Sequence, residues 1–258
     1  MFLLELVVFL SRAHLRFTGD TLFLLALAIS TALFVSACMW ILYIALEPYV
    51  RSKWPQTIVS WSRVLAGSVR DPLVGRDVLY GVLMGLAWVI VYYGGYYFDM
   101  RGGERPLLPQ TDLIESTRAA FAMWLGNVVN AIFGVLIFFF ILVLFRVLLR
   151  NRWIAAVLFV VVFAVPKILA NHHPLIDSPV WILIYVIAAV AVVRFGLVVL
   201  AVAVFTANLL LNLPFTMDFS AWYAPASTCV FLSILGLAVW GFYAALAGQR
   251  VLREDLFE

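Results

Sequence analysis

The arrangement in this chain that comes nearest to a metal site is His172-His173 followed by Asp177. Adjacent histidines project to different faces, and one carboxylate completes at most three poorly arranged ligands, whereas zinc takes a defined set of three or four. The segment therefore reads as an interfacial loop, and neither a metal nor any other cofactor is expected. His14 stands alone. Lys167 follows Pro166 at a helix end, where its stem can snorkel to an interface; paired with Asp177 it could instead line a polar cavity. Asn127 and Asn130 share a helical face by their spacing and should turn towards protein rather than lipid. With Asn208 and Asn212 they suit either a substrate path or, more simply, hydrogen bonds between helices. The chain has no nucleophile elbow, no phosphate-binding glycine loop and no paired intramembrane carboxylates. Catalysis and nucleic-acid binding are not expected of it.

The densest polar patterning lies in Leu46 to Asp77, LEPYVRSKWPQTIVSWSRVLAGSVRDPLVGRD, which holds five of the 17 Lys and Arg residues. The residues singled out here are Glu47, Arg51, Lys53, Trp54, Trp61, Arg63, Arg70, Asp71, Arg76 and Asp77. Pro55 suits the first position of a helix. Ile58, Trp61, Leu65 and Val69 recur at helical spacing, and Gly67 or Gly75 can end or interrupt a turn. The expectation is a short amphipathic helix on the membrane surface. Trp54 and Trp61 would sit at headgroup depth, with Arg51, Lys53 and Arg63 towards anionic lipid. Asp71-Pro72 reads as an N-cap followed by proline at the first position of the next helix. Arg70, Asp71, Arg76 and Asp77 read as local ion pairs and caps rather than a ligand site.

What must position these groups is a membrane scaffold. The chain is 66% hydrophobic and 12% charged, against about 45–50% and about 25% in soluble domains. Its apolar runs approach or exceed the roughly 20 residues that cross a hydrocarbon core, and they do not alternate as barrel strands would. The polar intervals are too short to build a soluble core. The fold class expected is all-α, a polytopic helical membrane protein of about seven to eight transmembrane helices. Residues 1–258 then form a single integral membrane domain, with 47–77 as a cytoplasmic amphipathic segment between spans. Cys38 and Cys229 lie in apolar runs and read as small buried hydrophobes.

The first hydrophobic helix, Phe2 to Leu15, is short. It lacks a basic start and a small-residue cleavage site, and reads as the tail of a span or a short anchor. Longer runs follow at Thr21 to Leu46, Val78 to Phe98, Ala119 to Leu149, Trp153 to Ala170 and Ala226 to Leu246. Pro48 places the end of the second run near Leu46, with Trp40 and Tyr43 as interfacial aromatics near that end. Thr111-Asp112 is a plausible cap for a helix starting near Leu113.

Val180 to Leu211 is too long for one span, about 48 Å, and would bury Arg194 near mid-membrane at high cost. Hinged at Arg194-Phe195-Gly196, it makes two short helices in a hairpin. An eight-helix chain with its N-terminus inside then collects Arg51, Lys53, Arg63, Arg70, Arg76, Arg146, Arg150, Arg152, Arg194, Arg250 and Arg253 on one side. Arg12, Arg16, Arg101, Arg105, Arg118 and Lys167 fall on the other. The richer side should be cytoplasmic, with both termini there.

The stretches ALEPYVRSKWPQTIVSWSRVLAG and RDPLVGRDVL carry a resemblance. So do the RFG break at Arg194 to Gly196, LLLNLP at Leu209 to Pro214, DFSAWYA at Asp218 to Ala224 and GFYAALAG at Gly241 to Gly248. Together they resemble the membrane region that follows the catalytic domain in bacterial serine/threonine protein kinases of acidobacterial type. The resemblance implies a cytoplasmic kinase domain, fused or associated, as partner beside the lipid bilayer. It also implies a cytoplasmic N-terminal side. The chain has no Gly-rich loop, HRD-type or DFG-type sequence, so no kinase residue carries over. The expected function is a non-catalytic transmembrane sensory or anchoring module in the bacterial inner membrane. The alternative is a small standalone transporter or permease-like protein.

Overall fold

The computed structural model describes residues 1–12, 19–102, 117–170, 174–212, 220–221 and 224–246. The expectations at His14, Arg16, Arg105, Thr111-Asp112, His172-His173, Arg250 and Arg253 lie outside them.

The regular structure of the described residues is helical. The helices are α1 (Phe2–Arg12), α2 (Gly19–Lys53), α3 (Val59–Leu65), α4 (Pro72–Arg101) and α5 (Thr117–Leu149), then α6 (Arg152–Leu169), α7 (Pro174–Val190), α8 (Leu197–Leu211) and α9 (Ala224–Ala245). A one-turn 3-10 helix at Pro55–Thr57 precedes α3, and a π turn at Ala191–Phe195 joins α7 to α8. Six helical stretches among the described residues are long and apolar enough to cross a membrane: Thr21–Lys53, Pro72–Arg101, Arg118–Leu149, Arg152–Leu169, Asp177–Phe195 (α7 with the π turn) and Ser227–Ala245. Two apolar helices are shorter, Phe2–Ser11 and Leu197–Leu211.

The hydrophobic run 180–211 reverses at Gly196, as its composition predicts. Ring contacts fix the directions. Tyr92 meets Trp181 at 6.1 Å between centroids, so α7 begins beside the far end of α4. Tyr80 meets Phe195 at 4.7 Å, so the π turn lies beside the near end. The chain then runs back along α4 until the Tyr93 hydroxyl donates to the Leu210 carbonyl at 3.4 Å. Thus α7 is antiparallel to α4 and α8 parallel to it.

Helix α8 is apolar on every side, the pattern of a helix enclosed by protein. Leu197, Val199, Leu200, Ala203 and Thr206 are all buried. It fits closely against α4 because α4 presents Gly81 and Gly85 to it. A methyl group added at Gly81 would meet Val199 O at 2.9 Å, and one at Gly85 would meet Ala203 O at 2.8 Å. Small residues four apart permit this approach of two backbones. Farther out, Phe138 of α5 packs on Phe163 of α6 at 4.7 Å, and Phe163 on Tyr185 of α7 at 5.6 Å, tying the outer helices into the main core.

Four expectations need correction. Helix α2 does not end near Leu46 but runs through Pro48 to Lys53. Leu46, Val50 and Trp54, four residues apart, are all buried in the core. That stripe holds the helical path, and Pro48 sits on the exposed side of the helix. Asn127 is buried but Asn130 is exposed, because three residues turn a helix by about 300° and the packed face ends between them. Leu65 and Val69 are exposed at 59% and 42%, whereas Ile58 is buried and Trp61 half-buried. Helix α3 stops at Leu65, and Val69 falls in the following turn. Finally, Cys229 is exposed on the outer side of α9.

Candidate functional site

Residues 46–77 form a compact polar module at one end of the bundle. Its parts are the last turn of α2, the 3-10 turn, α3 and the first turns of α4. Helix α4 starts where the sequence says it should. Asp71 takes an extended backbone (φ −68°, ψ 134°) and accepts the Leu73 amide at 2.9 Å, with Pro72 at the first helical position. Proline is pre-set for that position, and its missing N–H is one of the orphan donors there anyway. Gly67, at φ 80°, ends the α3 segment in a conformation that a side chain would strain.

Two ion-pair systems lock α3 onto α4. Arg63 Nη1 donates to Asp71 Oδ1 at 2.5 Å and to Oδ2 at 2.6 Å. The Arg63 guanidinium, and after it the Leu73 amide, hold the Asp71 carboxyl below the usual carboxylate range. One and a half turns on, Asp77 is buried. The Ser60 hydroxyl donates to its Oδ2, and Arg76 donates from Nε at 3.1 Å and Nη2 at 2.9 Å to its Oδ1. A buried carboxylate is tolerated only when so engaged.

Of the two tryptophans, Trp54 turns into the core and Trp61 is half-buried. Trp54 is 6% exposed, packs on Phe139 of α5, and lies beneath the Arg146 guanidinium, whose carbon is 4.0 Å from the ring centroid. Arg146 Nη2 also reaches the Lys53 carbonyl at 3.5 Å. Trp61 is half-buried, and its indole Nε1 is enclosed without an acceptor among the described residues. Arg51 pairs with Glu47 one turn earlier at 2.7 Å. Of the three cations expected to face lipid, Arg51 and Arg63 are engaged by carboxylates, and Lys53 is exposed.

The module rests on the chain reversal. Gly196 has φ 118° and ψ −174°, and a side chain there would strike the Thr57 carbonyl oxygen at 2.7 Å. The 3-10 turn and the reversal between α7 and α8 are therefore in direct backbone contact. Arg150, at the junction of α5 and α6, has φ 54°, and Asn151 caps α6 by accepting the Trp153 amide at 2.9 Å.

This end also gathers Arg70, Arg150, Arg152 and Arg194, all exposed and none in an ion pair among the described residues. At the opposite end lie Arg101, Arg118 and Lys167. Arg101 sits 4.6 Å from the Tyr97 ring centroid and Lys167 5.5 Å from that of Trp181. Asp177 is buried in the first turn of α7 and forms no ion pair with Lys167 among the described residues.

All ten residues singled out from the sequence thus lie at one end, but they act mostly as clamps and caps. Sequence reasoning missed Ser60, Thr57 and Arg146. Ser60 carried a weak signal, one helical turn before Arg63. Arg146 carried none, because its partner Lys53 is 93 residues away. The carboxylates of the module are occupied by donors of the same chain, which leaves a surplus of exposed positive charge. No protein-family model, no curated protein and no solved structure matches this chain.

Proposed function

We propose that the chain is a multi-pass membrane module of the bacterial inner membrane, with its cation-rich end in the cytoplasm. In this reading it senses or anchors and does not catalyse. Its partner is a cytoplasmic serine/threonine kinase domain, fused or associated, as the resemblance at 45–77 and 194–248 implies.

The observation that carries the reading is the contact between Thr57 and Gly196. A displacement of α7 or α8 within the bilayer would reach the polar module directly, and through Asp71 and Asp77 the start of α4. The excess of Lys and Arg at that end supports its cytoplasmic orientation. The transporter alternative would be favoured by a helix broken near the midplane. Here the break at Gly196 lies at the cationic end, with Arg194 exposed.

Reporter fusions test the orientation. A fusion after Arg194 is expected to read cytoplasmic and one after Arg101 external; the reverse pattern would sink it. The relay is tested by joining the chain to a cytosolic kinase domain and replacing Arg51, Lys53 and Arg63 together by Gln. Altered autophosphorylation or altered membrane attachment is expected, and no change in either would count against the relay.

A further inference from the structure

An open apolar groove of about 470 Å³ runs between α6 and α7, lined over the length of α6 from Trp153 to Ile168. That distance is about 22 Å at 1.5 Å per residue, longer than one leaflet of a hydrocarbon core of about 30 Å. Its rim is formed by exposed valines, Val157 and Val161 on α6 and Val186 on α7, and its floor by Ala164, which is buried. Small floor residues beneath branched rim residues leave a channel rather than a flat face.

The two ends of this groove differ in charge. At one end the lining residues Trp153 and Val193 are the immediate chain neighbours of Arg152 and Arg194. Both arginines are exposed, and neither has an acidic partner among the described residues. Arg152 Cζ lies 5.4 Å from the ring centroid of Trp153, a lining residue of the groove. At the other end Lys167 faces the Trp181 ring, and Asp177 is buried in the first turn of α7. An apolar channel with two exposed arginines at one end and a single lysine at the other suits an occupant with an apolar tail and an anionic head.

We infer that the groove between α6 and α7 holds an acyl chain of an anionic phospholipid, with the phosphate at Arg152 and Arg194. Basic pockets between membrane helices recognise anionic headgroups in this way, and arginine's planar fork suits phosphate oxygens. The inference rests on the membrane reading above, and the two fail separately. A chain released from membranes by alkaline extraction would defeat both, whereas a membrane-retained chain without lipid preference would defeat only this one.

Native mass spectrometry of the purified protein, in micelles doped with dioleoyl phosphatidylglycerol or dioleoyl phosphatidylcholine, tests it. Retention of phosphatidylglycerol, with much weaker retention of phosphatidylcholine, is expected. The double variant R152Q/R194Q should weaken phosphatidylglycerol retention by roughly an order of magnitude. The rim variant V161W should lower it by blocking the channel with the charges intact. R70Q, at the same end but away from the groove, should leave it unchanged. Equal retention of the two lipids, or equal behaviour of R152Q/R194Q and the unaltered chain, would overturn the inference. So would a dimer that V161W dissociates, because the groove would then be a contact between two copies of this chain.

Discussion

Pro48 and Gly196 are the two residues at which the local sequence argues most strongly for a helix boundary, and they behave in opposite ways. Helix α2 passes through Pro48 without ending. The chain at Gly196 turns back on itself. The difference lies in what surrounds each residue. Pro48 is exposed, and the residues around its turn, Leu46, Val50 and Trp54, are all required in the core at helical spacing. Gly196 is enclosed, with the Thr57 carbonyl occupying the space where a side chain would project. Proline disfavours a helix by a local amount of about 3 kcal/mol. Three buried apolar side chains outweigh that, at roughly 1.5–3 kcal/mol each. No comparable packing opposes the break at Gly196. A continuous helix there would also carry Arg194 away from the exposed end.

The sharpest way to break this comparison is Gly196→Ala. The backbone angles are accessible essentially to glycine alone, and the added methyl group meets Thr57. A loss of about 3 kcal/mol or more is expected in unfolding from mixed micelles. Unchanged stability would mean that the reversal is not held against the polar module. Next in size is Asp77→Ala, which strands the buried Ser60 hydroxyl and leaves the exposed Arg76 guanidinium without its carboxylate. About 1–3 kcal/mol should be lost in the same measurement. Ser60→Ala should cost less, since Arg76 still engages the carboxylate.

Pro48→Ala carries the opposite sign. The helix already accommodates the ring, so only part of the intrinsic cost is recovered, and a gain on the order of 1 kcal/mol is expected. A loss would show that Pro48 shapes α2 in a way its exposure conceals. The smallest effect is a dependence on pH. The Asp71 carboxyl is depressed by Arg63 and the Leu73 amide. Its contribution is therefore complete above the free carboxylate value of about 3.9 and is lost as pH falls through the lower folded value. Thermal unfolding scanned downward from pH 5 should show a decline that Asp71→Asn reduces. Equal acid profiles would remove the Arg63–Asp71 pair from the account.

The legible features were those decided within a few residues or by bulk composition. Asp71-Pro72 is a cap and start whose chemistry is local, and α4 begins there. The hinge at Arg194 to Gly196 followed from one charge in an overlong apolar run. The apolar runs mark the helices well because helices enclose their own backbone hydrogen bonds. Features that depend on distant partners were not legible. The burial of Trp54 rests on Phe139 and Arg146, both far along the chain. Asn127 and Asn130 share a spacing but not an environment. The Ser60–Asp77 contact spans two helices and a glycine turn, so no pattern along the chain could announce it. Arg63 looked like a free surface cation until Asp71 was seen to lie across from it.

The enclosure of α8 has a consequence for the order in which the molecule is assembled. Helix α8 follows α4 and α5 in chain order, yet it fills the centre of the bundle whose walls they form. Until residues 197–211 arrive, the Gly81 and Gly85 surface of α4 has no permanent neighbour. A nascent chain that has not yet added them therefore holds an open slot, and it is during this interval that quality-control proteases or stray helices have their best access.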